Sequence, residues 1–224
     1  MIPLLHDFAG QVVLVFGGGP VGARKARRFG REARVVVVSP AFADREFAPE
    51  ERREPDAGVE LVRAAPLPAD VGTWLDRARP ALVVAATNDE AVNEAVAREA
   101  RERGVLVNRA DRSGDRAAGS VVVPATVRSD PVLVAVATGG SAPALSRYLR
   151  ERLGEEVAGA GEMASLVAEI RSELKARDAP PERRRAAVRA VVRAEDVWKH
   201  LGSETGKARR TADGIVAAEL GDST

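Results

Sequence analysis

The sequence predicts an α/β fold: a Rossmann-like parallel sheet domain, followed by a small β-hairpin region and a helical C-terminal domain. Three observations carry this prediction. Apolar runs alternate with helix-like segments up to about residue 110. Two strand-like runs then follow each other with only a short turn between them. After Gly139-Gly140 only helix-like segments remain. We therefore expect three regions, at 1–113, 114–142 and 143–224.

The first predicted strand and helix enclose a run of glycines. Residues 11–16 form a short apolar run typical of a buried strand, and a helix is predicted over 20–30. The letters GGGPVG between them have the G-x-G-x-x-G spacing of a dinucleotide-binding turn. Gly17 would allow the tight turn, Gly19 the approach of a pyrophosphate, and Gly22 close packing of the helix on the strand. The phosphates would bind free N–H groups at the helix N-terminus.

Further strands and a helix continue the alternation. Strands are predicted at 34–38, 59–62, 81–86 and 105–107, with a helix over 89–103 before the last of them. The segment 41–56 is charged and contains prolines, so we expect a surface connection there. An acidic residue is expected about 20 residues beyond the glycines to hold the adenosine ribose. The sequence has Ser39-Pro40 instead, which leaves the choice between NAD and NADP open, and Ser39 is expected to contact the ribose.

The second half of the chain changes character. The runs 119–127 and 131–138, joined by 128–130, predict a β-hairpin. A helix capped by Ser141 is expected to run to Leu153 and to stop at Gly154. Later helices are predicted over 162–177, 181–200 and 208–220. The letters GSETGKA at 202–208 are one residue too short for a phosphate-binding loop, and no strand precedes them.

Composition excludes several classes of function. The chain has 224 residues, and 34 basic against 33 acidic residues give a net charge of +1, which predicts neither a nucleic-acid nor a membrane-surface partner. With no cysteine, disulfides, thiolate metal sites and cysteine nucleophiles are excluded, and with only two histidines no metal site is expected. No secretory signal is visible, and no apolar run approaches the roughly 20 residues of a spanning helix. We expect a cytoplasmic protein.

Polar residues follow two of the predicted strands, those over 81–86 and 105–107. Thr87, Asn88 and Asn108 are candidates to orient the ribose and nicotinamide of a cofactor, because ligands bind outside the carboxyl ends of parallel strands. Each could instead cap a helix or turn, an alternative nearly as strong for Asn88. Asp111 follows the strand over 105–107 and is either a proton acceptor or an ordinary turn residue.

Four stretches together resemble the precorrin-2 dehydrogenase family, the NAD-dependent part of siroheme synthases. They are GGGPVGARKAR, ALVVAATNDEAVN, VLVNRADRSGD and DPVLVAVATGGSAPALSRYLRERL, and their order and spacing fit from about residue 4 to about residue 155. The resemblance implies a Rossmann domain, a homodimer built by the middle region, and a helical C-terminal domain. The reaction it implies is oxidation of precorrin-2 to sirohydrochlorin with NAD, joined in some members by insertion of ferrous iron.

The resemblance also assigns roles to particular residues. It implies that Asp111 is the important aspartate, with cofactor contacts at the glycine turn, Gly18 included, and at Pro20, Val21, Pro40 and Ala41. The substrate is a macrocycle rich in carboxylates, so the arginines that flank the motifs are candidates to bind it, and about two of them are expected to contact it, since most surface arginines are only solvated. The candidates are Arg109, Arg112, Arg116, Arg147 and Arg150. Thr138 and the amides of Gly139 and Gly140 could bind one carboxylate in the same cleft.

Two other functions remain open from the residues. One is a non-enzymatic NAD-binding regulator of the kind that gates potassium transport, although such domains usually carry an acid where Ser39-Pro40 stands. The other is an unrelated small dehydrogenase. Those enzymes usually show a Tyr-x-x-x-Lys pair, whereas Tyr148 is followed four residues later by Arg152.

Overall fold

The structure, a computed structural model, describes residues 2–110, 120–202 and 205–221. The chain divides into two compact units, Met1–Val123 and Pro124–Thr224. Among the described residues, no helix has both the length and the apolar character that crossing a membrane requires.

The N-terminal unit contains a parallel sheet of five strands, which confirms the predicted Rossmann-like fold. The strand order is β3-β2-β1-β4-β5, and every neighbouring pair runs parallel. The order reverses between β1 and β4, where a sheet of this kind opens a ligand crevice at the carboxyl ends of its strands. The strands are β1 Val12–Phe16, β2 Arg34–Ser39, β3 Gly58–Arg63, β4 Leu82–Ala85 and β5 Leu106–Arg109.

Helices cover both faces of this sheet. Along β1, Val13 and Val15 belong to one core cluster, and Leu14 and Phe16 belong to another. All four side chains are fully buried, which explains why the central strands are apolar throughout rather than alternating. The α-helices among the described residues of this unit are α1 Pro20–Phe29, α2 Val71–Ala78 and α3 Glu90–Glu102.

Two features of this unit differ from the sequence prediction. Helix α2 was not predicted, because its eight residues are fewer than the roughly 11–18 over which helical periodicity is recognised, and only Val71 and Leu75 are buried. The connection over 41–56 forms no helix or strand, but it is not simply a surface segment. Phe47 is buried there and packs edge-on against Phe42, with ring centroids 5.7 Å apart.

An arginine links α2 to α3. Arg103 Nε donates to the Asp76 carboxylate at 2.8 Å and its Nη1 donates to Glu99 at 2.6 Å. The hydrogen bond from Arg103 lowers the pKa of Asp76, and hydrogen bonds from Arg98 and Arg103 lower the pKa of Glu99. The cluster is exposed to solvent, so it orients the two helices more than it stabilises them.

The C-terminal unit begins with the predicted hairpin. Strands β6 Ala125–Ser129 and β7 Val132–Val136 pair antiparallel, and Asp130-Pro131, rather than 128–130, forms the turn. Helix α4 spans Pro143–Glu156. The prediction for its ends was wrong: Ala142 is the N-cap residue, while the Ser141 hydroxyl donates to the Thr138 carbonyl, and the helix continues through Gly154.

Four helices complete this unit around an apolar core of their own. The helix predicted over 181–200 is in fact two helices, because the chain becomes extended at Ala194, with φ −81° and ψ 106°. Trp198 Nε1 donates to the Val192 carbonyl across this break at 2.8 Å. The helices are α5 Ala160–Ala176, α6 Pro181–Arg193, α7 Glu195–Trp198 and α8 Thr205–Leu220.

Candidate dinucleotide-binding site

The glycine turn lies at the point where the strand order reverses. Gly17 follows β1, donates its N–H to the Val38 carbonyl of β2 at 3.0 Å, and has φ +117°. A Cβ on this residue would overlap the carbonyl oxygen of Ala86, just after β4. Both the backbone conformation and the contact therefore require glycine here.

Two further glycines are required by close contacts. A Cβ on Gly22 would overlap the Gly17 carbonyl oxygen, so α1 approaches the turn as closely as its backbone allows. A Cβ on Gly18 would overlap the Ala41 carbonyl oxygen and stand 2.8 Å from the Phe42 ring. Gly18 also accepts a hydrogen bond from Ala43 N–H at 2.8 Å. The loop after β2 thus lies directly on the turn, with Ala41 beside it.

Gly19 differs from its neighbours because the space in front of it is open. Apart from its chain neighbours, no atom of the described residues lies within 4 Å of the place a Cβ would take. Gly19 is the N-cap residue of α1, and no side chain caps the helix, so α1 offers no partner to the N–H groups of Val21 and Gly22. Open space before a positive helix end fits the pyrophosphate of a dinucleotide.

Gly19→Ala is expected to weaken NAD binding at least tenfold while leaving stability almost unchanged. The added methyl group enters the space through which a pyrophosphate approaches, and it meets no atom in the part of the protein that the structure describes. Alanine is a poorer N-cap than glycine by roughly 0.5–1 kcal/mol. Because residue 19 has φ −75°, which alanine adopts without strain, the reduced entropy of the unfolded chain offsets about 0.4–1 kcal/mol of this cost. Calorimetric titration with NAD and urea unfolding measure the two effects; undiminished NAD affinity would contradict this placement of the pyrophosphate.

The end of β4 is held by a buried asparagine that the sequence analysis missed. Asn93, on α3, is 1 % exposed. Its Nδ2 donates to the Thr87 carbonyl at 2.9 Å, and its Oδ1 accepts from Thr87 N–H at 3.2 Å and from the Thr87 hydroxyl at 2.8 Å. One side chain therefore holds the main chain where it leaves the sheet beside Gly17. The available signal was a polar residue at a core position of an amphipathic helix.

Asn88, the next residue, is exposed and does not cap the helix. Asp89 is the N-cap residue of α3, and its carboxylate accepts hydrogen bonds from the N–H groups of Ala91 and Val92 at 2.9 and 3.2 Å. The alternative that Asn88 caps α3 is therefore wrong. Its role as a cofactor contact stays a prediction.

Asn93→Ala is expected to destabilise the protein by about 2 kcal/mol, because two main-chain groups of Thr87 lose their partner. It should also weaken NAD binding, since the strand end beside Gly17 is no longer held. The urea midpoint of unfolding measures the first effect and calorimetric titration the second. Asn88→Ala is the matched control for stability, as the same side chain is lost from an exposed position. Equal stability of the two variants would refute the role of Asn93.

Two more predicted residues lie at this edge of the sheet. Ser39 ends β2 and is buried; its hydroxyl donates to the Ala41 carbonyl at 2.7 Å, which leaves only its lone pairs for a ribose. Asn108, on β5, is buried, and its Nδ2 donates to the Val121 carbonyl at 2.8 Å. Its Oδ1 has no hydrogen-bond partner in the part of the chain that is described. An unsatisfied buried acceptor fits a donor group on a bound ligand.

Comparison with known proteins agrees with this geometry. Residues 4–125 match a family profile described as "Putative NAD(P)-binding". Over 221 residues the chain is 31 % identical to the precorrin-2 dehydrogenase of Methanosarcina barkeri, and the alignment covers 98 % of the chain and 95 % of that protein. The chain belongs to the precorrin-2 dehydrogenase family.

Longer relatives and a solved structure extend this result. The siroheme synthase of Stutzerimonas stutzeri is 35 % identical over 218 residues, which are 93 % of this chain but 43 % of the synthase. The chain thus spans less than half the length of that relative. The solved structure of SirC, precorrin-2 dehydrogenase, covers 96 % of the chain with a TM-score of 0.67 at 20 % identity. It confirms the fold, and the family matches confirm the prediction of a nicotinamide dinucleotide as cofactor.

In this member of the precorrin-2 dehydrogenase family, the side chain of Arg109 is already engaged in ion pairs within the protein. Its guanidinium forms ion pairs with Glu90 and Glu94 of α3, each at 3.1 Å, and its side chain is only 10 % exposed. It would have to leave these carboxylates to bind one on a substrate. Asp111, Arg112 and Arg116 lie outside the described residues.

The remaining predicted substrate residues of this family member belong to the C-terminal unit. The Thr138 hydroxyl donates to the Ala142 carbonyl at 3.1 Å and lies 2.7 Å from the Ser146 hydroxyl, so it braces the start of α4. Gly139 and Gly140 both have positive φ, 66° and 88°. Arg147 is largely exposed and pairs with Glu151 one turn along α4, at 3.0 Å. Their contact with a substrate stays a prediction.

Proposed function

We propose that the chain is an NAD-dependent oxidoreductase that converts precorrin-2 to sirohydrochlorin, a step of siroheme biosynthesis. The observation that carries the proposal is 31 % identity along 95 % of a protein named precorrin-2 dehydrogenase. The glycine turn supports it, with close contacts at Gly17 and Gly22 and open space at Gly19. A regulator would need the same nucleotide site, so turnover is the property to test.

The proposed site residues act mainly by binding and orienting. The N–H groups of Val21 and Gly22 bind the pyrophosphate at the start of α1. Oδ1 of Asn108, with no partner in the described chain, accepts a hydrogen bond from the nicotinamide end. The nicotinamide supplies the hydride acceptor. Thr87, held by Asn93, keeps the end of β4 against Gly17, so that the crevice between β1 and β4 retains its shape.

Asp111 is the proposed proton acceptor. Oxidation of precorrin-2 removes a hydride and a proton from the macrocycle, and a carboxylate beside the ring takes the proton or stabilises the cation that forms. Asp111 comes two residues after the end of β5, in a chain segment that leaves the carboxyl edge of the sheet. Arg112, Arg147 and the turn at Thr138, Gly139 and Gly140 are the proposed partners of the substrate carboxylates.

The proposal includes a homodimer built around residues 119–138 and a cytoplasmic location. Support for the dimer comes from the C-terminal unit, where α4 buries no residue fully and Leu145 and Tyr148 are 48 % and 57 % exposed. Light scattering is expected to give twice the chain mass of 23.7 kDa. A mass of one chain at working concentration would refute this part of the proposal.

The decisive test is an anaerobic assay with precorrin-2 generated in place. With NAD present, absorbance of sirohydrochlorin should appear in proportion to the enzyme, and no product should form without NAD. Tight NAD binding without turnover would refute the proposal and favour the NAD-binding regulator.

Iron insertion is tested in the same cuvette. Siroheme synthases are among the relatives, which is the reason to add ferrous iron once sirohydrochlorin has formed. Among the described residues, no three His, Cys, Asp or Glu side chains form a group that could hold a metal ion. A spectral change faster than that without enzyme would assign the chelatase step to this chain.

A further inference from the structure

We propose that Arg63 forms a subsite for the 2′-phosphate of NADP, so that the chain binds NADP at least as tightly as NAD. This inference rests on the proposed function only in requiring a dinucleotide at the glycine turn. It assigns a specificity-determining role to a residue that none of the sequence motifs includes.

The position of Arg63 is the first argument. It is the last residue of β3 and lies directly opposite Ser39, the last residue of β2, in the register of the two strands. In a Rossmann sheet the adenosine ribose lies beside the end of β2, where an acidic side chain selects NAD by binding the 2′-hydroxyl. Here Ser39 stands in place of the acid, and its hydroxyl donates a hydrogen bond to the Ala41 carbonyl.

The second argument is that the arginine is held against the nucleotide loop. Arg63 Nη1 donates to the Pro40 carbonyl at 3.0 Å, and its guanidinium carbon lies 5.6 Å from the centre of the Phe42 ring. Pro40 and Phe42 belong to the loop whose Ala41 carbonyl and Phe42 ring lie on Gly18. The guanidinium therefore lies on the loop that follows β2 and packs against Gly18 of the glycine turn.

Charge is the third argument. In the described part of the chain no carboxylate lies within ion-pair distance of Arg63, although the side chain is exposed. Arg34, at the opposite end of the same strand pair, is neutralised by Glu60 at 2.8 Å. A guanidinium has five N–H donors in a fork that matches a phosphate, and among the described residues Arg63 makes one hydrogen bond, to Pro40.

Together these observations place a guanidinium with N–H donors to spare beside the expected 2′-oxygen of the adenosine ribose. No acidic side chain stands at the end of β2 to repel a phosphate there. Hydrogen bonds to charged groups contribute about 1.5–3 kcal/mol each, which corresponds to at least about tenfold in affinity. The 2′-phosphate is therefore expected to strengthen binding rather than to be merely tolerated.

The test is calorimetric titration of the full chain with two probes that differ only in this phosphate, adenosine 2′,5′-bisphosphate and 5′-AMP. The unmodified chain should bind the bisphosphate at least about tenfold more tightly. Arg63→Ala should abolish this difference and leave the affinity for 5′-AMP within about threefold, since one loop contact is lost. Arg34→Ala is the matched control, an arginine removed from the other end of the same strands, and it should retain the full difference.

Four outcomes would overturn the inference. Equal affinity for the two probes would refute the subsite. A preference for the bisphosphate that persists in Arg63→Ala would refute the role of Arg63. An equal loss of affinity for both probes in Arg63→Ala would show that the arginine only holds the loop in place. A chain that binds neither probe also overturns it, whereas the precorrin-2 assay with NAD decides separately whether the proposed function stands.

Discussion

Gly22→Ala is expected to destabilise the N-terminal unit by about 3 kcal/mol and to abolish detectable NAD binding. A Cβ at this position would overlap the carbonyl oxygen of Gly17. The oxygen belongs to the main chain, and the position of a Cβ is fixed by the backbone, so no side-chain rotation can relieve the overlap. Helix α1 must move away from the turn, and overpacking of this kind costs about 1–3 kcal/mol even where side chains can adjust. The same movement displaces the N–H groups that hold the phosphates.

Circular dichroism during urea unfolding measures the loss of stability, and titration calorimetry measures NAD binding. Gly19→Ala is the matched control: the same methyl group is added three residues earlier, where it meets only open space. Gly22→Ala should therefore lose both stability and binding, and Gly19→Ala only binding. A Gly22→Ala variant as stable as the unmodified chain would refute the close packing of α1 on the turn.

Asp111→Asn is expected to reduce the rate of precorrin-2 oxidation by about 10²–10⁴, the usual contribution of a positioned acid or base. Asparagine is nearly the same size but cannot take up a proton or carry a negative charge. The affinity for NAD should be unchanged, because the proposed pyrophosphate contacts are made by the glycine turn. Single-turnover formation of sirohydrochlorin under anaerobic conditions measures the rate.

Asp115→Asn is the control for this prediction, because it removes the same charge from the same segment of chain. It should oxidise precorrin-2 at the unmodified rate. Undiminished turnover in Asp111→Asn would exclude Asp111 from the mechanism. A parallel loss of NAD affinity would instead indicate that Asp111 supports the cofactor site.

The sequence predicted correctly those elements whose residue pattern is set by their immediate surroundings. The three central strands, β2, β1 and β4, are nearly continuous apolar runs because helices cover the sheet on both faces. The G-x-G-x-x-G spacing predicted the glycine turn because each of its glycines serves a steric need of the turn itself: the tight bend, the open space for a ligand, or the close packing of α1. It failed where a single residue decides a boundary: Ala194 breaks the helix predicted over 181–200, and Ala142 replaces Ser141 as N-cap.

The sequence by itself determined the fold class, the dinucleotide turn and the family, since all three depend on periodicity and on the spacing of motifs along the chain. Only the tertiary structure decided which polar groups meet at the carboxyl edge of the sheet. Asn93 reaches Thr87, Arg109 is taken by Glu90 and Glu94, and Arg63 comes to lie opposite Ser39. These partners lie 6 to 24 positions apart along the chain. They can meet only after strand order and register are set, and no local pattern encodes these two properties.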